Sequence, residues 1–297
     1  MVIIVRLTEQ FIQHLAQKTG QSLKNPRLMA VSGGDINQAY HLATDSGSWF
    51  MKVNQPQLLS MFQAEAAGLQ ELAATETVRI PKVVACDKTT DFAYLILEYL
   101  ELKPQNSQSE RLFAQQLAQL HQQKHAFFGW SIENTIGSTP QYNGRYDNWI
   151  TFWQQQRLGA QLKMAAQKGY GGNLQSSGEK LCADIELFFS GYAPSPALLH
   201  GDLWGGNSAA DVQNRPVMFD PACYYGDRET DIAMTELFGG FGREFYAVYQ
   251  DYYPLDAGYQ VRKTLYNLYH ILNHLNLFGR SYLHRSEAMI ATLLAEI

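Results

Sequence analysis

The apolar residues of this chain change their spacing after Leu102, and that change divides it. Before it, apolar runs of strand length are interleaved with two helical stretches. TEQFIQHLAQKT at 8–19 has Thr8 as N-cap, a stripe of Phe11, Ile12 and Leu15, and Gly20 as a stop. Residues 28–31, 39–43 and 48–53 read as strands, the first two joined by SGGDIN. MFQAEAAGLQELAA at 61–74 reads as a helix, and IPKVVACD and DFAYLILEYLEL as two more strands. KPQNSQSE, after Leu102, is polar and turn-prone and marks a boundary. Beyond it helices are expected at 109–124, 147–167, 176–190, 229–239, 242–252, 258–278 and 284–296, with one β-rich island near 197–220. The pattern predicts an α+β chain of two lobes: a small β-rich lobe at 1–101 and a larger, mainly helical lobe at 102–297, hinged near 98–104. With 297 residues, 46% of them hydrophobic, the chain can bury a sizeable core.

Charge and targeting signals exclude several classes. The formal net charge is −5, with no run of lysine or arginine, so neither nucleic acid nor an anionic membrane surface is an expected partner. No apolar stretch approaches the roughly 20 residues of a spanning helix. The opening MVIIVRLTEQ carries an apolar run too short for a signal peptide. Cys86, Cys182 and Cys223 are far apart and lack metal-ligand spacing, which fits a reduced cytoplasmic protein.

The densest chemistry lies in LLHGDLWGGN, residues 198–207, followed by Phe219, Asp220 and Pro221. Phosphoryl transfer needs one carboxylate to orient an attacking hydroxyl and take its proton, and a carboxamide with a second carboxylate to hold Mg²⁺ on the phosphate oxygens. Magnesium prefers such oxygen ligands to nitrogen or sulfur. Asp202 fits the base, and Asn207 with Asp220 the metal ligands, joined by a β-turn-β. Taken singly, HGD is a common turn and Asp-Pro a common start of a loop. Their spacing, with an apolar strand before each, favours the catalytic reading.

A cation for the nucleotide phosphates is available in Lys52, inside the apolar strand WFMKV, and Glu65, 13 residues on in the next helix, can fix it. Each alone reads as a solvent-facing residue. Gly33 and Gly34 in SGGDIN permit close backbone approach to phosphate, although the loop lacks G-x-G-x-x-G spacing and Asp35 would repel phosphate.

These residues resemble the fructosamine kinases, or ketosamine-3-kinases, within the aminoglycoside phosphotransferase-like group. The resemblance spans nearly the whole chain: SGGDIN, FMKVN, FQAEAAGL, RIPKVV and LILEYLEL occur in the family's order, and DPACYYGDRETDIAMTELFGGF is the most specific segment. It implies a protein-kinase-like fold, with ATP and Mg²⁺ as cofactors. It also implies Asp202 as base, Asn207 and Asp220 as metal ligands, and Lys52 paired with Glu65 on the phosphates. The backbone of Glu98, Tyr99 and Leu100 would meet the adenine. The implied reaction phosphorylates a sugar hydroxyl of a ketosamine, on a small molecule or a glycated protein, and so promotes deglycation. The chain departs from the family at Asp227, where members often carry His, which bears on specificity if that position touches substrate. The nucleotide loop also lacks the cysteine some members carry.

A sugar-amine substrate needs aromatic surfaces and carboxylates, and Trp204, Tyr224, Tyr225, Asp227, Glu229 and Asp231 cluster in sequence around the loop. Trp204, Tyr225, Asp227 and Glu229 are the substrate candidates; Asp231, at a helix start, suits a cap or a brace for the loop. Trp149 and Trp153 fit either a further wall or core packing at i, i+4. His200 reads as a brace and His121 as structural. His270 and His274 share a helix face that suits a metal, but no third ligand motif accompanies them. Two other readings remain: a kinase for another hydroxyl, such as an aminoglycoside, choline or a sugar, and a nucleotide-binding pseudokinase.

Overall fold

A computed structural model of the chain describes residues 5, 7–31 and 36–297. The N-terminal part is a five-stranded antiparallel sheet between two helices. Its strands are β1 (Arg27–Val31), β2 (Gln38–Thr44), β3 (Gly47–Asn54), β4 (Val83–Lys88) and β5 (Ala93–Glu98), in the order β1-β2-β3-β5-β4. Both faces are covered, and the period-2 alternation of a strand sorts the side chains between them. Trp49, Met51 and Val53 of β3, with Tyr94 and Ile96 of β5, pack with Phe11 and Leu15 of α1 (Glu9–Thr19). Ala93, Leu95 and Leu97 face the other way, into the core that holds Phe62, Leu69 and Leu72 of α2 (Leu59–Ala74). The same alternation puts Lys52, between Met51 and Val53, on the α2 side. Helix α1 is bounded as its sequence predicts: the Thr8 side chain accepts from Phe11 N at 3.2 Å, and Gly20 takes the left-handed conformation.

Strand β6 (Leu102–Lys103) comes next, and then α3 (Ser107–His121), which opens on a capping box between Asn106 and Ser109. The sequence boundary at residues 101/102 falls between β5 and β6, and the larger apolar cluster runs across it from α2 into the helices beyond. The next stretch corrects the expectation that strands here are confined to 197–220. Four short strands, β7 (Phe128–Gly129), β8 (Asn134–Ile136), β9 (Thr139–Gln141) and β10 (Arg145–Tyr146), precede the helices. Runs of two or three residues carry no readable alternation. The expected helix at 147–167 is interrupted: α4 (Trp149–Phe152) passes into a π-helical turn at Trp153–Leu158 before α5 (Gly159–Gln167). Trp149 and Trp153 are buried against Tyr266, so both belong to the core.

The remaining elements are α6 (Asn173–Ala183), β11 (Ala197–Leu199), β12 (Ser208–Asp211), β13 (Pro216–Met218), β14 (Tyr224–Gly226), α7 (Glu229–Leu237), α8 (Arg243–Tyr252), α9 (Tyr259–Phe278) and α10 (Leu283–Leu294). β12 and β13 form an antiparallel hairpin, with β6 on its far edge. β11 pairs instead with β14, in a four-stranded sheet ordered β10-β7-β14-β11. Among the described residues no helix is long and apolar enough to cross a membrane.

Candidate active site

The loop between β11 and β12 is held from behind. Gly201 sits at φ +81°, and a Cβ there would lie 2.1 Å from the Ala222 carbonyl oxygen, so only glycine fits. Asp231, in the first turn of α7, accepts from His200 N at 2.8 Å and Gly201 N at 2.9 Å. Burial opposes its charge, but these bonds and His121 hold the Asp231 carboxyl below its ordinary range. His200 completes the brace: its Nε2 donates to the Phe219 carbonyl at 2.9 Å, and its Nδ1 faces Asp202 N at 3.3 Å. Burial keeps this imidazole neutral. The β12–β13 hairpin then returns the chain to the loop, where Phe219 N donates to Asn207 O at 3.1 Å and Ala222 N to His200 O at 2.8 Å. Thirteen residues of separation between Asn207 and Asp220 are thereby closed by ladder bonds.

Asp202 and Asn207 are in direct contact: Asn207 Nδ2 donates to the Asp202 carbonyl at 2.9 Å and to its Oδ2 at 3.2 Å. Burial, and next the charge on Asp220, push the Asp202 carboxyl up to about 7, although the Asn207 bond works against this. Lys52 Nζ lies 2.6 Å from Glu65 Oε1 and 2.5 Å from Asp220 Oδ1. Burial alone would lower the Lys52 pKa; the two carboxylates outweigh it and keep the ammonium charged. Asp220 holds a left-handed backbone at φ 57°, a strained conformation for a residue with a Cβ.

All five residues line one cleft of about 680 Å³. With Asn207 Nδ2 committed to Asp202, the amide oxygen is the group left to face a cation, and Asp220 uses only Oδ1 on Lys52. Two hard oxygen donors suit Mg²⁺, which takes its other ligands from phosphate and water. No cluster of three His, Cys, Asp or Glu able to hold a metal occurs among the described residues. The Asn207 amide oxygen and the Asp220 carboxylate are oxygen donors of the kind Mg²⁺ takes, and His274 Nδ1 donates to the His270 carbonyl at 2.8 Å.

The structure sorts the other predicted residues. Gly33 and Gly34 lie outside the described residues. The Glu98 side chain turns to Arg79 Nη2 at 2.8 Å, Tyr99 stacks on His41 at 3.9 Å, and neither they nor Leu100 line the cleft. Trp204 does line it, its ring lying over Gly206. Three substrate candidates are corrected. Tyr225 faces α2, where its hydroxyl donates to Glu71. Asp227 is buried and accepts from Tyr192 and Tyr266 hydroxyls, and its Oδ1 also accepts from Glu229 N at the start of α7. Glu229 is buried against Arg262 at 2.8 Å. The reason is the antiparallel pairing of Leu199 with Tyr224, Leu198 with Tyr225 and Ala197 with Gly226. Each step along β14 carries the chain back alongside the strand that leads into the loop, away from Asp202.

Other aromatic residues line the cleft. Phe238, beyond α7, His270, His274 and Phe278 of α9, and Tyr282 line the same cleft. The His274 ring packs against Phe238, Phe278 and Tyr282 with centroids 4.8, 5.4 and 5.1 Å apart. Phe278 and Trp204 remain 52% and 38% exposed, an apolar surface left open at the mouth. The i, i+4, i+8 spacing of His270, His274 and Phe278 was the available sequence signal.

A family model described as fructosamine kinase matches residues 7–296. A probable ketoamine kinase of Synechocystis is 46% identical over 279 residues, covering 94% of each chain. A chloroplastic protein-ribulosamine 3-kinase of Arabidopsis thaliana is 39% identical, covering 97% of this chain and 88% of that one. A crystal structure provisionally assigned as a fructosamine-3-kinase of Haemophilus somnus superposes with a TM-score of 0.87 at 31% identity, covering 95% of this chain and 96% of that one. An aminoglycoside phosphotransferase in complex with streptomycin and ATP superposes at 0.65 with 16% identity, covering 97% of each chain, a likeness of fold alone.

Proposed function

The chain belongs to the fructosamine kinase family, and we propose that it transfers the γ-phosphoryl group of ATP to a sugar hydroxyl of a ketosamine, on a small molecule or a glycated protein. The observation that carries the reading is convergence. A buried lysine held by two carboxylates, a carboxylate with a raised pKa and a carboxamide meet in one cleft with an aromatic mouth. Relatives 37–46% identical over most of the chain are named for ketoamines or ribulosamines, so an aminoglycoside or choline acceptor is not favoured.

Asp202 is the base in this reading. It orients the sugar hydroxyl toward the γ-phosphorus and takes its proton as the new P–O bond forms and the bond to the departing ADP oxygen breaks. Lys52, kept in place by Glu65, neutralises charge on the phosphate oxygens. Asn207 and Asp220 would hold Mg²⁺, which when bound supplies further charge neutralisation on those oxygens. The adenine would meet the backbone of Glu98, Tyr99 and Leu100, since Glu98 follows the Phe50–Leu97 pair in register and Phe50 lines the cleft. Trp204, Phe278 and Tyr282 offer the faces on which the ketosamine would stack. The unpaired cysteines support a reducing, cytoplasmic setting.

The test is ATP consumption with Mg²⁺ against fructose-lysine, ribulose-lysine, an aminoglycoside and choline. Turnover confined to the ketosamines is expected. Turnover of aminoglycoside or choline alone would overturn the assignment, and nucleotide binding without any transfer would point to a pseudokinase.

A further inference from the structure

Helix α2 carries Glu65, and three of its residues, each three positions on from the last, lie along successive parts of the segment that carries Asp220, the first through Lys52 and the other two directly. Glu65 meets Asp220 through Lys52. Gly68 lies against the next residues: a Cβ there would be 3.1 Å from Cys223 Sγ and 3.5 Å from Pro221 Cγ. Glu71 then meets Tyr225, whose hydroxyl donates to its Oε1. Residues three apart on a helix form one row, so 65, 68 and 71 act as a single edge laid along 220–225.

Glu71 has a second partner. Trp130 Nε1 donates to its Oε2 at 2.5 Å, so each carboxylate oxygen accepts one bond. Both donors sit on one framework: β7 and β14 are neighbours, Tyr225 pairs with Gly129, and Trp130 follows directly. Trp130 is buried, and its backbone N–H donates to Gly144 O at 3.0 Å. His125 stacks on the Tyr225 ring at 3.7 Å and 13°, which fixes the phenol from its outer side. The sheet therefore presents two rigid donors to one carboxylate. Burial and the Glu71 charge push the Tyr225 phenol up, so it stays protonated and able to donate.

We propose that Glu71 is a positioning residue: bound by Trp130 and Tyr225, it docks the C-terminal half of α2 on the 220–225 segment and thereby holds Glu65 against Lys52. The inference rests on the kinase reading of the cleft. Glu71 does not line the cleft and lies about 9 Å along the helix axis from Glu65. Without its anchor, α2 is free to pivot about the Gly68 contact, and Lys52 loses a fixed partner on one side.

The experiment compares Glu71→Ala, Glu71→Gln and Tyr225→Phe with the wild type, each also in a Glu65→Gln background. The measurements are kcat, the KM values for ATP and for a ketosamine, thermal midpoint, and hydrogen exchange of α2 amides. Misplacement of a phosphate-binding group by about 1 Å costs on the order of 100-fold. Glu71→Ala is expected to lower kcat by about 10- to 100-fold, with the ketosamine KM within twofold and faster exchange around Glu65. Glu71→Gln, which keeps an acceptor, should recover part of the loss, and Tyr225→Phe should fall between. In the Glu65→Gln background Glu71→Ala should have little further effect, because both act through one contact. A kcat within twofold of wild type with only a lower thermal midpoint would overturn the proposal, as would an undiminished loss in the Glu65→Gln background. If the wild type phosphorylates no ketosamine, the functional reading falls instead. Exchange around Glu65 then decides the anchor: acceleration in Glu71→Ala supports it, and wild-type rates refute it.

Discussion

Replacing Asp202 by Asn should move activity and stability in opposite directions. The carboxyl is pushed up to about 7, first by burial and then by Asp220. An ordinary aspartate titrates near 3.9, so the folded chain holds the charged form at a disadvantage of about three units, each 1.36 kcal/mol, a ceiling of about 4 kcal/mol. Asp202 faces an open cleft, and solvent screening reduces this to about 1–2 kcal/mol. The sign follows from linkage. With the folded pKa raised, the proton is retained longer in the folded state, so stability falls as pH rises from about 4 to about 7 and stays low above that. Asparagine does not titrate and keeps the shape and the contact with Asn207. In thermal unfolding without nucleotide, the variant should match the wild type near pH 4 and exceed it by roughly 2–5 °C at pH 8. Its turnover should fall about 10²- to 10⁴-fold, with ATP binding retained, as expected for a lost general base. Wild-type kcat/KM should rise with pH through about 7, since the base must be ionised. Equal stability of the two proteins at pH 8, a gain independent of pH, or near-normal turnover of the variant would refute the reasoning.

Two further outcomes test the correction of the substrate candidates. Glu229→Gln removes one of the two carboxylates that meet Arg262, Asp256 remaining at 2.6 Å, and should destabilise the fold by about 1–3 kcal/mol, read by urea unfolding, while the ketosamine KM of the folded protein stays unchanged. Phe278→Ala should raise the ketosamine KM about threefold or more with the ATP KM unchanged, because the ring is half exposed at the cleft mouth and its loss opens no core cavity; an unchanged acceptor KM in steady-state assays would exclude it from the acceptor wall.

Much of the cleft floor was legible because its chemistry is local in sequence. Asp202 and Asn207 are five residues apart in one loop, and that loop's geometry alone brings them into contact. Lys52 was legible only as a pair: a lysine inside an apolar strand and a glutamate 13 residues on in the next helix, which the structure brings to 2.6 Å. The two-lobed organisation followed from the change of apolar spacing, although the strands at 128–146 were too short to carry a period.

What tertiary structure alone decided is which sequence neighbours of the loop remain its neighbours in space. Tyr225, Asp227 and Glu229 are close in sequence to Asp220, yet β14 pairs antiparallel with β11 and carries them off to brace α2, cap α7 and neutralise Arg262. Phe238, His274, Phe278 and Tyr282 are distant in sequence, and the packing of α9 against α7 brings them into the cleft. Residue type and spacing therefore pointed to the cleft-floor residues, which one strand, one helix, one loop and one hairpin carry. The aromatic mouth of the cleft and the contact of Glu71 with Trp130 and Tyr225 depend on long-range packing, which no local period encodes.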